Sequence, residues 1–329
     1  MHYRLFSSLG PVSEIGLGTW QLGGAEWGEV PEADALATLE AAADSGVTFL
    51  DTADIYGHGR SETLIGKFLQ SRSDRERFFI ATKLGRSPDP GWPKNFEADT
   101  IRLHTERSLQ RLGVEALDLT QTHCIPPDIM RQDSVWEALR QLKREGKIKA
   151  FGASVESMEE ARDCLQVAGL SSLQIIFNVF RQKPIEELFA EAKAKGVAII
   201  VRLPLASGLL GGKLHANSQF APKDHRTFNR DGQAFNVGET FAGLPFTIGL
   251  EIVEELRPLV PHDWTMSEWA LRWCLDFDAV TTVIPGATRP AQATDNARAS
   301  DREPISRATH ERIATLYREK IAPFIRGKY

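Results

Sequence analysis

Short runs of apolar, largely β-branched residues recur along the chain, and each is followed by a longer stretch whose apolar positions return every three to four residues. The runs are residues 14–19 (EIGLGT), 47–51 (VTFLD), 78–83 (FFIATK), 117–122 (LDLTQT), 149–153 (KAFGA), 173–177 (LQIIF), 197–203 (VAIIVRL) and 280–284 (VTTVI). Apolar almost throughout rather than alternating, they have the character of strands covered on both faces, as in a parallel sheet. The intervening segments carry helix signals. Pro31 and Glu32 open one that runs to Asp44, with Gly46 closing it. Ser61 stands where an N-cap belongs, ahead of Leu64, Ile65, Phe68 and Leu69. Residues 97–112 place Ile101, Thr105, Leu109 and Leu112 on one face and stop at Gly113. Further helices are expected over residues 134–145, 157–167, 184–195, 267–276 and 306–320. Eight strands alternating with helices predict an α/β fold, a (β/α)8 TIM barrel, with residues 1–329 forming one domain.

Two segments break the alternation. Residues 3–13 (YRLFSSLGPVS) predict an N-terminal β-hairpin turned at Leu9, Gly10 and Pro11. Residues 208–246, rich in glycine and weak in periodicity, form a long excursion after the seventh strand. A connection of that length is usually a functional flap or a disordered excursion.

Composition narrows the function. With 42% hydrophobic and 25% charged residues, the 329-residue chain has the make-up of an ordinary soluble globular protein. A net charge of −5 with mixed signs along the chain speaks against a nucleic-acid partner. No apolar run approaches the roughly 20 residues of a membrane helix, and the opening MHYRLF lacks the apolar stretch of a secretion signal. The cysteines Cys124, Cys164 and Cys274 are odd in number and form no CxxC pair. A cytoplasmic location without disulfides or a metal site is therefore expected.

Active-site groups of a parallel barrel sit at the C-terminal ends of its strands. Asp51 ends the second run and Lys83 the third, His123 follows the fourth, and Tyr56 lies just beyond Asp51. Each alone could be a solvated rim residue; the four together have a coherent chemistry. A free tyrosine titrates near pH ~10 and is a poor proton donor at neutrality. A lysine ammonium beside it favours the phenolate and lowers that value, and a carboxylate keeps the ammonium charged and oriented. With a histidine to donate to a substrate oxygen, the set suits carbonyl reduction with Tyr56 as proton donor. No side chain supplies hydride, so a nicotinamide cofactor is expected.

In family order, residues 16–20 (GLGTW), Asp51-Thr52-Ala53 with Tyr56-Gly57, Ala81-Thr82-Lys83, Asp118-Leu119 with His123, Gly152-Ala153-Ser154, Gln174 and Ile284-Pro285-Gly286 resemble the aldo-keto reductases. The resemblance runs from the hairpin to Asn296 and is strongest for the bacterial branch, through residues 207–213 (SGLLGGK) and 288–292 (TRPAQ). It implies Asp51, Tyr56, Lys83 and His123 as a catalytic tetrad. It implies cofactor contacts at Gly18, Thr19, Asp51, Ser154, Gln174, Arg202, Leu205, Ser207, Gly208, Lys213, Gly286, Gln292 and Asn296. Trp20, at a strand end, and Trp92, in the loop 85–96, stand with Tyr56 and His123 where substrate-pocket walls form. The implied activity is reversible, NAD(P)H-dependent reduction of an aldehyde or ketone, a sugar among the candidates.

Three positions depart from the family pattern. Val155 follows Ser154 where many members have asparagine to hold the nicotinamide amide. Arg202 stands where others stack an aromatic ring, and Gly286 where a basic residue is usual. Arg289 is then the candidate for a 2′-phosphate, through the bidentate geometry of a guanidinium, and NADPH is the expected cofactor with NAD as the alternative. A lyase, isomerase or hydrolase on the same barrel would need a metal cluster or paired carboxylates that the sequence does not assemble. A catalytically weak, cofactor-binding regulatory subunit would also resemble the family, but the intact tetrad argues against it.

Overall fold

The computed structural model describes residues 1–24 and 27–329. The chain opens with the expected hairpin, β1 (Tyr3–Leu5) antiparallel to β2 (Pro11–Ser13), Tyr3 opposite Ser13. Eight parallel strands follow: β3 (Leu17–Gly18), β4 (Phe49–Asp51), β5 (Phe79–Leu84), β6 (Leu117–His123), β7 (Ile148–Ser154), β8 (Ser172–Ile176), β9 (Ala198–Arg202) and β10 (Val280–Val283). They pair in sequence order, β3 to β10. The two edges meet: the Gly16 amide donates to the Val283 carbonyl (2.8 Å), the Val283 amide to Glu14 (2.9 Å), and the Gly18 amide to Pro285 (3.0 Å). The sheet is therefore a closed barrel, and all eight apolar runs lie on its strands, though the first contributes only two residues to β3.

Alternation along each strand explains the interior. Phe49, Phe79, Ala81, Leu119, Ala150, Ala198, Ile200 and Ile284 form a buried cluster of their own, and Phe6 and Val12 of the hairpin complete it. The Phe6 ring lies 4.7 Å from that of Phe79, and Phe49 and Phe79 stack at 5.2 Å. The hairpin thus plugs the N-terminal mouth. Because side chains alternate with period two, the positions two further along each strand face the same interior at its other end. Those positions are Asp51, Lys83 and Arg202; His123, four beyond Leu119, follows the same rule. Phe6→Ala should cost about 3–5 kcal/mol of stability, the range for emptying a buried aromatic site. A urea melt should show this, with kcat per folded molecule little changed.

The helices mostly begin and end where their signals lie. Helix Ala98–Leu112 stops at Gly113, whose φ of 68° is the left-handed cap geometry. Thr265 and Glu268 form a reciprocal capping box ahead of Met266–Leu275. Ser61 does not cap its helix. Gly59 takes that position before Arg60–Gln70, and the Ser61 hydroxyl is drawn 2.7 Å from Thr19 Oγ1 and 2.9 Å from Thr52 Oγ1. The segment 184–195 is two short helices, Pro184–Glu187 and Phe189–Ala194, separated at Leu188.

The excursion is an ordered flap of short turns, Ala206–Gly211, His225–Phe228, Val237–Glu239 and Phe241–Gly243. The C-terminal segment fastens it. Arg326 donates from Nε to the Gly243 carbonyl (2.9 Å) and from Nη1 to Asp231 (2.7 Å), and the Arg181 guanidinium sits 4.4 Å from the Tyr329 ring centroid.

Candidate active site

The C-terminal ends of the strands open on a cavity of about 540 Å³. Asp51, Tyr56 and His123 line it, and Lys83 sits buried beneath. Lys83 Nζ donates to Asp51 Oδ1 (2.6 Å) and the Thr52 carbonyl (2.8 Å) and lies 3.2 Å from the Tyr56 hydroxyl. Gln174 Nε2 donates to the other Asp51 oxygen at 2.8 Å. The Tyr56 ring stands edge-on to His123, centroids 5.8 Å apart, and stacks on Trp20 at 6.1 Å. Gly57 follows Tyr56 with φ 58°, and a Cβ there would lie 2.2 Å from the Gly23 carbonyl oxygen, so the loop holding Tyr56 requires glycine at this position.

The electrostatics are those of a buried, coupled group. Burial works against the Lys83 charge, but Asp51 and Tyr56 carry its pKa above the ordinary lysine value, so it stays an ammonium. Burial raises Asp51, and Lys83 and Gln174 pull it back. The expectation for Tyr56 needs correction. Lys83 does pull its pKa down, but burial outweighs it and the phenol lies above its ordinary value. Tyr56 is therefore protonated at neutrality, with the Lys83 ammonium 3.2 Å from its hydroxyl. Burial, followed by Arg86, Lys83 and Arg202, pushes His123 well below its usual pKa, which keeps it a neutral hydrogen-bond donor.

Of the expected cofactor contacts, Gly18, Asp51, Gln174, Arg202, Leu205, Ser207, Gly208, Lys213, Gly286, Gln292 and Asn296 all line the cavity. Thr19, Ser154 and Arg289 do not. The Thr19 hydroxyl is spent on the Asp51 carbonyl (2.7 Å), and Ser154 Oγ is buried 3.5 Å from Cys124 Sγ. Arg289 is exposed just before helix Pro290–Ala297. The Ser207 hydroxyl donates to the Glu239 carbonyl (3.0 Å), so that residue shapes the flap. Trp92 also stands outside the cavity, half exposed with its ring against Phe96 at 5.2 Å.

Several lining residues carried no sequence signal. Gln21, Trp27, Ile55, Arg86, Arg226, Phe235 and Glu239 join Trp20 around the cavity. Arg202 lies 3.3 Å from Glu239 and donates to the Val155 carbonyl (3.3 Å), and Arg86 lies 3.7 Å from Glu239 and donates to the His123 carbonyl (3.1 Å). Burial alone would raise Glu239, but Arg202 and Arg86 hold it below the ordinary carboxylate value. Cys124, Glu156 and Glu239 approach one another within 4.8 Å, but the same two guanidinia engage their acceptor atoms.

The residues fit a nicotinamide cofactor. The cavity runs from Tyr56 and His123 to Lys213, Gln292 and Asn296. Gln21 Oε1 and Arg202 Nε, on residues that line it, are buried without a partner among the described residues. A Cβ at Gly286 would lie 2.1 Å from Gln21 Nε2, so Gln21 occupies the space a basic side chain would take there.

Comparison with known proteins agrees with this geometry. The Aldo/keto reductase family model matches residues 14–318, and the chain belongs to that family. It is 32% identical over 300 residues to the aldo-keto reductase YhdN of Bacillus subtilis, covering 89% of this chain and 86% of that one. It is 29% identical to the NADH-specific methylglyoxal reductase of Escherichia coli, with 88% and 90% covered. Among solved structures, the glycerol dehydrogenase AKR11B4 from Gluconobacter oxydans superposes with a TM-score of 0.79 at 25% identity, covering 99% and 98%. The holo form of AKR11C1 from Bacillus halodurans gives 0.76 at 27%, covering 96% of each. The protein is thus an oxidoreductase of the nicotinamide-dependent aldo-keto type, and none of its described helices is long and apolar enough to cross a membrane.

Proposed function

We propose that the protein reduces a small aldehyde or ketone to the alcohol, reversibly, with Tyr56 as the proton donor. The chain Asp51–Lys83–Tyr56, ending beside a neutral His123 inside the cavity, carries this assignment. A bound nicotinamide supplies the hydride. His123 donates to the substrate oxygen, Tyr56 passes its proton to that oxygen, and Lys83 stabilises the phenolate left behind. Asp51, fixed by Gln174, keeps Lys83 charged and aimed.

Beside Tyr56 the cavity pairs the rings of Trp20 and Phe235 with the charges of Arg86 and Glu239. That mixture suits a short carbonyl compound with further oxygens. Methylglyoxal, named for one of the similar proteins, has that character, and glycerol, named for another, is the alcohol that reduction of such a compound gives. The test is to follow NADPH absorbance with methylglyoxal, glyceraldehyde and an aldose. Turnover of at least one is expected, and no loss of absorbance with any of them would overturn the assignment.

NADPH is the proposed preferred cofactor, with NADH also accepted. Gly286 brings no charge, so the preference rests on Arg289, which flanks Thr288 and Gln292 at the cavity edge. A charged bidentate contact to phosphate contributes roughly 1.5–3 kcal/mol, or about ten- to a hundredfold in affinity. Fluorescence titration of Arg289→Ala should show weaker binding of NADPH alone. Equal loss for NADPH and NADH, or none, would show that Arg289 does not read the phosphate.

A further inference from the structure

Behind the Tyr56 loop, on the side away from the cavity, lies a buried group of ionisable residues that the reaction does not use. Asp54 belongs to the loop itself, and its amide donates to the Lys83 carbonyl at 3.0 Å. Its carboxylate is buried, and neither oxygen has a well-aligned donor among the described residues, the Ile55 amide lying nearby. Across from it stands His104 of helix Ala98–Leu112, with Nδ1 at 3.8 Å from Asp54 Oδ2. His104 Nε2 lies 2.9 Å from the Asp89 carbonyl. A carbonyl oxygen can only accept, so the neutral ring carries its proton on Nε2 and turns a bare Nδ1 towards Asp54. Two acceptors therefore face each other in a buried site, too far apart for a hydrogen bond, so an ionised Asp54 would stand there without a donor, and a proton on its carboxyl relieves it.

We propose that Asp54 retains a proton beside His104 behind the catalytic loop, and that Asp54 is a positioning residue whose ionisation weakens proton donation by Tyr56. The proposal rests on the reductase assignment above for its kinetic part only.

The surroundings decide when that proton leaves. On helix Arg60–Gln70, Glu62 is fully buried and bound by Thr82 Oγ1 (2.5 Å) and Arg111 Nε (2.6 Å). Lys83 faces the pair from β5, and Arg111 and Arg107 face it from the helix that carries His104. Burial and then Glu62 push the Asp54 carboxyl up to about 7, against the pull of Arg111 and Lys83. Burial likewise lowers His104, so the imidazole is neutral when Asp54 lets its proton go. Above neutrality the site gains a negative charge whose field reaches Lys83. That charge competes for the ammonium which stabilises the Tyr56 phenolate, so the phenol becomes a weaker acid.

Asp54→Asn keeps the shape and locks the site in its neutral form. A carboxyl whose folded pKa exceeds its unfolded value stabilises the protein fully below the unfolded value and loses that contribution as pH rises through the folded one. The Tm of Asp54→Asn relative to wild type should therefore climb between about pH 4 and 7 and then level off. In wild-type protein a carboxyl 13C resonance should titrate near pH 7 and be missing from the variant. The wild-type reduction rate should fall about threefold more than that of Asp54→Asn between pH 6.5 and 8, since a nearby charge shifts the donor's acidity. A Tm difference that is constant with pH, or a 13C midpoint near 4, would overturn the retained proton. Superimposable rate–pH profiles would overturn the positioning role. A wild type that reduces no carbonyl at all would defeat the reductase assignment instead, and the melting and 13C measurements would still decide the proton.

Discussion

Tyr56→Phe should lower kcat by at least about a thousandfold while leaving the dissociation constant of the cofactor nearly unchanged. The ring remains, so its stacking on Trp20 and its edge contact with His123 persist. Only the hydroxyl 3.2 Å from Lys83 Nζ is lost. A positioned general acid contributes roughly 10²–10⁴ in rate. His123 is held neutral and far below its usual pKa, so it cannot substitute as a strong acid. Steady-state kinetics with a reactive aldehyde and a fluorescence titration of NADPH separate the two effects. A variant retaining more than a tenth of wild-type kcat would remove Tyr56 from the proton-donating role.

Lys83→Met should be comparably damaging, for a different reason. The methionine is of similar length but leaves the phenolate of Tyr56 without its cation. It also leaves Asp51 buried with Gln174 as its remaining close donor. Removing one partner of a buried pair typically costs about 3–5 kcal/mol, so thermal melting must accompany the kinetics to separate lost folding from lost chemistry. In the folded fraction, reduction should be at least about a hundredfold slower. Alcohol oxidation, which needs Tyr56 as a base, should survive only at raised pH, because burial already holds the phenol above its ordinary pKa. Full activity with an unchanged pH–rate profile would exclude Lys83 from the mechanism.

The convergence of Asp51, Lys83 and His123 was legible in the sequence because the barrel is built on a two-residue alternation. Phe49 and Asp51, Ala81 and Lys83, and Gln121 and His123 are spaced by that step, so an ionisable residue closing an apolar strand must face the same interior as the core residues before it. Glu239 and Arg226 were not legible. They lie in an excursion without periodicity, and only its folding back against Arg202, Arg86 and Trp27 gives them a place. Arg86 lies two residues past its strand, where the alternation no longer decides direction. Ser61 has the right local chemistry for a cap, yet tertiary hydroxyl partners at Thr19 and Thr52 outcompete that role. Trp92 lies in a loop at the barrel mouth, but the loop packs its ring on Phe96, outside the cavity. The lysine alone predicts a more acidic Tyr56; burial, which no sequence shows, is the larger influence.

The seam that closes the barrel also governs how the chain can acquire its structure. Ser13 accepts a hydrogen bond from Thr282 across 269 positions, and His2 donates to Ser300 across 298. Contacts so distant in sequence carry a high loop-closure entropy and slow the search for the native state. During synthesis the first strand must wait, with its edge unpaired, until nearly the last has left the ribosome. Partial barrels with an open β3 edge are therefore the aggregation-prone species to expect on refolding. A circular permutant cut at a surface loop between two central strands, with the old termini joined, turns this seam into a local contact and moves the long-range closure to the strands flanking the cut, which should then replace β3 as the exposed edge of its partial barrels.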